Sequence, residues 1–280
     1  VLFMIYFYKF NETLSIHFSY LFGNNKNGWF ILKKYIELIY RIVFIIISGI
    51  GIGIHFNIND GDYNAHEFSF FTIQSNIFCF VMMCILLIKY FAGKDINSKA
   101  LMYFKGMSLS AILCTFLVYH FAECRFKYPI YTTGLIGIPL KSFLAHYVVP
   151  FMFILDWIIF QPKGYFKWWH IFGWLAFPLM YFLCFITRCG CNDASAFTNV
   201  EKYPYYFLDY ETLGVTTFCK YILVMLVIMI SLNILIILLD KFMFRISKKR
   251  NWHLICPLST QVASHQSVVP LSFAVLFIIF

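Results

Sequence analysis

Residues 140–160 read LKSFLAHYVVPFMFILDWIIF, and this stretch decides the fold. At ~1.5 Å of rise per residue, a helix of this length crosses a bilayer core of ~30 Å. The run is mostly apolar, yet it carries His146 near one end, Pro150 in the middle and Asp156 with Trp157 near the other. Ionisable groups inside a membrane span are costly, so they turn towards partners and mark either a function or a structural contact.

Working outward, the same signal recurs on both sides. Spans are expected near 35–55, 68–92, 100–122, 140–160, 168–188 and 218–242. The fold class they imply is all-α: a polytopic six-transmembrane-helix bundle occupying residues 35–245. Residues 1–34 read as a cytoplasmic or interfacial segment, broken by the GNNKNG turn at 23–28, with no clear signal peptide. Residues 246–280 form a tail whose one strongly apolar run, 268–280, is short for a standard span.

Composition agrees. The chain is 61% hydrophobic and only 12% charged, with a mean hydropathy of +0.75, whereas soluble domains carry about 25% charged residues. The net charge of +9 does not point to nucleic acid, because the basic residues lie in short loops beside apolar spans. With the N-terminus inside, 16 of the 22 Lys and Arg residues fall on the inner side, as the positive-inside rule asks. Both termini are then expected to be cytoplasmic. The heavy use of Phe, Ile, Tyr, Lys and Asn fits an AT-rich, bacterial genome, and the expected location is the cell membrane.

Of the nine cysteines, Cys79, Cys84, Cys114 and Cys184 fall in spans as small apolar residues. Cys124, Cys189, Cys191 and Cys219 lie at or near outer ends. Cys124 has either Cys189 or Cys191 as a candidate disulfide partner if that side is oxidising. Cys189 and Cys191 lack the second pair that a zinc site needs. There is no phosphate-binding glycine loop and no His-x-x-x-His pair, so neither cofactor nor metal is expected.

Orientation sets depth. The second span enters from outside at Phe68, so Thr72 lies about four residues in; the fourth enters at Leu140, so His146 lies about six residues in. The two reach nearly the same level, and His120 ends the third span close by. Thr72, Ser75, Asn76 and Cys79 share one helix face by their i, i+3, i+4, i+7 spacing. Thr72, Asn76, His120 and His146 are therefore expected around one outer-leaflet pocket. A hydroxyl beside an imidazole is the minimum for nucleophilic catalysis, and Gln74 or Asn76 would donate to an oxyanion. The competing reading is structural, with Thr72 bonded to its own helix and His146 linking two helices. Towards the inner side, Arg41 and Asp156 are expected to form a structural ion pair, with Asn233 and Asp240 as alternative partners.

FTIQSN at 71–76, HYVVPFMFILDW at 146–157 and YPYYFLD at 203–209 resemble, in that order, the bacterial "Pr-six-Pr" integral membrane proteins. These are similar to the eukaryotic androgen-induced / androgen-dependent TFPI-regulating protein family of transmembrane threonine hydrolases, which cleave fatty-acid esters of hydroxy fatty acids. The resemblance covers about residues 35–245. It implies that Thr72 is the nucleophile and His146 the second essential residue.

The expected function is thus an intramembrane lipid-ester hydrolase whose partners are membrane lipids. No carboxylate on the same span orients His146. A backbone carbonyl, Asp209 or Tyr203 is expected to do so. The alternatives are a small-molecule transporter or binding protein, against which no repeat relates spans 1–3 to 4–6, and a structural membrane protein without chemistry.

Overall fold

The computed structural model describes residues 26–58, 64–124, 138–191 and 203–255. Helix α1 runs Lys26–His55, and a short 3₁₀ turn, Ala65–Ser69, leads into α2, Phe71–Phe91. Helix α3, Lys99–Val118, widens into a π-turn at Tyr119–Cys124. The fourth span is composite: α4 Leu140–Phe143, a π-turn Leu144–Val148, then α5 Val149–Ile159. The fifth is α6 His170–Gly173 and α7 Ala176–Cys191. A 3₁₀ turn, Tyr206–Leu208, and α8, Tyr210–Leu213, precede α9, Val215–Ile255.

There is no strand among the described residues. Six segments are long and apolar enough to cross a membrane: Leu32–His55, Phe71–Phe91, Lys99–Phe121, Leu140–Ile159, His170–Thr187 and Val215–Lys248. The chain is an all-α six-helix bundle, a multi-pass membrane protein. Its outward faces are apolar: Ile39, Ile46 and Ile50 on α1 and Leu223, Val227 and Leu235 on α9 are all exposed, as lipid-facing side chains would be.

Two boundaries differ from the sequence expectation. Helix α1 begins at Lys26, within the segment expected to be interfacial, and α9 runs on to Ile255, into the expected tail. Lys and Arg are good helix formers and are favoured near helix C-termini, so the basic cluster 245–250 does not stop α9. Residues 1–25, the tail beyond 255, and residues 125–137 and 192–202 lie outside the described residues. So do the side chains of Cys124, Cys189 and Cys191, and with them the disulfide expectation.

Helix α3 is the hub. It buries Leu101, Met102, Leu109 and Ile112 together with the small residues Gly106, Ser108, Ser110 and Ala111. Small residues let helices approach closely in lipid, and Gly106 shows how closely. A Cβ there would lie 2.2 Å from the Trp174 ring and 2.9 Å from Phe166. The Trp174 indole donates to the Tyr103 carbonyl at 3.0 Å. The Asn233 side chain accepts from Ser110 and donates to the Ile171 carbonyl, tying α9 to α3 and α6.

A charge cluster ties α1, α3 and α5 together. Arg41 Nε lies 3.3 Å from Asp156 Oδ1, and Lys105 Nζ donates to the other carboxylate oxygen. Glu37 pairs with Arg41 at 2.6 Å. The expected Arg41–Asp156 contact is present, but within a group of two cations and two anions. Asn233 and Asp240 serve elsewhere: Asp240 Oδ2 accepts the N–H groups of Gly164 and Phe166 at 2.9 and 3.2 Å.

Candidate active site at one end of the bundle

Thr72 is the second residue of α2. Phe70 is extended just before it and supplies its carbonyl to the N–H groups of Ile73 and Gln74. That leaves the Thr72 N–H at the helix start, where backbone donors have no intrahelical partner. It donates to the Tyr205 hydroxyl at 3.4 Å. Thr72 Oγ1 lies 3.4 Å from the same hydroxyl and 3.3 Å from His146 Nε2.

His146 sits in the π-turn of the fourth span, and Pro150 is the local cause. Proline has no N–H, and its ring crowds the carbonyl four residues back, here that of His146. The helix responds by widening, so that the Val149 N–H bonds five residues back to the Leu144 carbonyl. One residue is thereby inserted into the turn, which re-aims the side chains within it. Such bulges recur at functional sites.

The imidazole is held on two sides. Its Nδ1 lies 2.8 Å from the Ser142 carbonyl, which only accepts, so Nδ1 carries the hydrogen. In the neutral ring Nε2 then presents its lone pair towards Thr72. The Tyr119 ring stacks on the imidazole with centroids 3.6 Å apart and planes 16° off parallel. His146 itself is buried, 8% exposed. This arrangement orients a base at a hydroxyl, the core of a nucleophilic site. The distance is slightly long, as resting sites often are.

The other anticipated residues take different places. Asn76 donates to the Thr72 carbonyl at 2.8 Å and across to the Ala145 carbonyl at 3.0 Å, so it fastens α2 to the π-turn. Gln74 donates to the Phe68 carbonyl at 3.0 Å, at the outer surface. The His120 ring meets the Tyr147 hydroxyl at 3.1 Å and stacks on Phe116. Asp209 accepts the Thr212 N–H at 3.0 Å and caps α8. Tyr203 is buried among Phe185 and Leu208. The residue of this segment that reaches Thr72 is Tyr205, two positions on, which the sequence reading missed. Nothing in the spacing of that segment's aromatics singles it out, since Phe207 lies in the 3₁₀ turn that follows.

Next to Thr72 a groove opens between α3, α7, α9 and the 203–208 segment. Its cavity volume is about 140 Å³, and it is walled by apolar side chains such as Val118, Leu175, Phe182 and Met225. Thr72 and Tyr205 lie on its wall. Leu179 and Leu226, both lining it, are exposed on the lipid-facing surface.

Just above the site, His55 joins α1 to two other elements. Its ring nitrogens lie 3.1 Å from Glu67 Oε2 and 3.1 Å from the Lys141 carbonyl, and Lys141 Nζ stands 3.7 Å from Glu67 Oε1. Burial pushes the Glu67 carboxyl up, but the His55 hydrogen bond and the charges of His55, Lys141 and His66 pull it down further. It ends below its ordinary value. No three His, Cys, Asp or Glu side chains among the described residues come together as metal ligands would.

Comparison of the chain with protein-family models, with curated proteins and with solved structures finds no match.

Proposed function

We propose that the protein is an intramembrane hydrolase of lipid esters, with Thr72 as nucleophile and His146 as base. The observation that carries this reading is the 3.3 Å approach of Thr72 Oγ1 to His146 Nε2, with Nδ1 engaged by the Ser142 carbonyl. The apolar groove beside Thr72 supports a substrate with a hydrocarbon arm, since ligand sites are mostly apolar with a few placed polar groups. The resemblance of 71–76, 146–157 and 203–209 to the "Pr-six-Pr" and androgen-induced families points the same way. We place the site in the outer leaflet, with both chain ends cytoplasmic, on the distribution of Lys and Arg, and the membrane in a bacterial cell on the heavy use of Phe, Ile, Tyr, Lys and Asn.

In the reaction, Thr72 Oγ1 bonds to the ester carbonyl carbon as its proton passes to His146 Nε2, and the C=O pair moves to oxygen. The C=O then re-forms, the bond to the alcohol breaks, and the alcohol leaves with the proton from Nε2. Water next attacks the acyl-threonine, giving its proton to Nε2. Collapse releases the free acid and returns the proton to Thr72. The whole cycle consumes one ester and one water.

An alkyl fluorophosphonate tests the assignment on protein purified in detergent. Wild type is expected to be labelled at Thr72. Thr72→Ala and His146→Ala are expected to lose labelling at unchanged folded yield. Equal labelling of Thr72→Ala would sink the assignment.

A further inference from the structure

An acyl transfer of this kind needs a donor aimed at the carbonyl oxygen, where negative charge develops. The two side-chain amides nearest in sequence are engaged elsewhere. Both hydrogens of the Asn76 amide have partners, the Thr72 and Ala145 carbonyls, and the Gln74 amide faces the Phe68 carbonyl. The hydroxyl at hand belongs to Tyr205, on a different element from either catalytic residue.

We propose that the Tyr205 hydroxyl is the oxyanion donor of this site. The inference rests on the hydrolase reading and deepens it.

The geometry is specific. Tyr205 Oη is 3.4 Å from Thr72 Oγ1 and 3.4 Å from the Thr72 nitrogen. In the tetrahedral intermediate the oxyanion and Oγ1 are bonded to one carbon. A donor within hydrogen-bond length of the first therefore stands about 3–4 Å from the second. Tyr205 also lines the groove in which the substrate chain would lie, so the carbonyl arrives between the phenol and Thr72. The contact with Thr72 Oγ1 is long for a settled hydrogen bond, and in the contact with the Thr72 N–H the phenol oxygen accepts. The phenol is held in place by its ring: it stacks on Phe207, with centroids 5.1 Å apart and planes 9° off parallel, and meets Phe70 edge-on at 5.7 Å. No proton leaves Tyr205. It donates a hydrogen bond as the oxyanion forms and releases it as C=O re-forms.

The competing role is a purely structural one, in which the hydroxyl caps the start of α2. Tyr205→Phe separates the two because the ring and its stacking remain. The test uses the full chain in detergent micelles with 4-nitrophenyl octanoate as substrate and the alkyl fluorophosphonate as label. Wild type, Thr72→Ala and Tyr205→Phe are compared. The expected result is a fall in kcat of about 10²-fold for Tyr205→Phe, KM within twofold, and a similar slowing of labelling. A cap alone would lower the melting temperature and leave kcat in place. If Thr72→Ala is inactive while Tyr205→Phe keeps kcat within threefold, the inference is overturned and the hydrolase reading stands. If wild type neither hydrolyses nor labels, or Thr72→Ala retains both, the hydrolase reading falls and the inference with it. Should Tyr205→Phe not fold, 3-fluorotyrosine at position 205 keeps ring and hydroxyl but makes the phenol more acidic. The activity is then expected to fall at a lower alkaline pH than in wild type, as the donor proton is lost, and an unchanged alkaline limb counts against the proposal.

Discussion

At the scale of single residues, charge placement divides the protein into two ends with different rules. At the Thr72 end Glu67 is a titrating group whose state the fold perturbs. Its folded pKa lies below the unfolded value, so the unfolded chain binds the extra proton in the window between them. The resulting stabilisation is present above the unfolded pKa, near 4.3, and is lost as pH falls through the folded pKa. Glu67→Gln is expected to lower stability by roughly 1 kcal/mol at pH 7 and to leave it nearly unchanged below the folded pKa. Thermal melts in detergent across pH 3–7 check this, and parallel curves for the two proteins would contradict it. At the other end Arg41, Lys105 and Asp156 are deeply buried. Asp156 is fully buried and meets both Arg41 and Lys105. Asp156→Asn leaves two cations facing one anion, Glu37, and is expected to destabilise by about 3–5 kcal/mol, read as a large drop in melting temperature or in folded yield.

At the scale of elements, the fourth span is decisive. Its π-turn places His146 and follows from Pro150. Pro150→Ala restores an N–H that bonds to the His146 carbonyl, and the inserted residue is then no longer forced. Reversion to a regular helix would rotate the preceding side chains by about 100° relative to α5. The variant is expected to fold, to keep the Asp156 cluster, and to lose most hydrolysis and labelling; full activity would mean that the turn does not depend on the proline. This is also where reading from sequence runs out. The six spans are legible because an apolar run of ~20 residues suits a membrane helix and little else. The nearness of Thr72 to His146 is legible because both stand a few residues inside the outer boundary. The π-turn is not, since periodicity alone assumes regular helix on both sides of Pro150. Lys105 reads as an inner basic residue beside the membrane surface, but it is 1% exposed and bonded to Asp156. Its partner lies on another helix, and only the packing brings them together. Tyr205 is one of several aromatics in a polar connection, with no spacing that ties it to α2.

At the scale of the whole molecule, the bundle is built around α3, which touches the buried charges at one end and the groove at the other. Charges, Gly106 and Trp174 pack closely at the Asp156 end, whereas the Thr72 end holds the groove and the short turns of 203–213. The exposure of the groove-lining Leu179 and Leu226 on the lipid-facing surface has a kinetic meaning of its own for the proposed hydrolase. A substrate arriving there diffuses in two dimensions, and its supply is set by how crowded it is among the surrounding amphiphiles rather than by its amount per volume of buffer. In mixed micelles the velocity of such a catalyst should track the mole fraction of ester in the micelle. Adding inert detergent at constant total ester should slow it, as surface dilution demands.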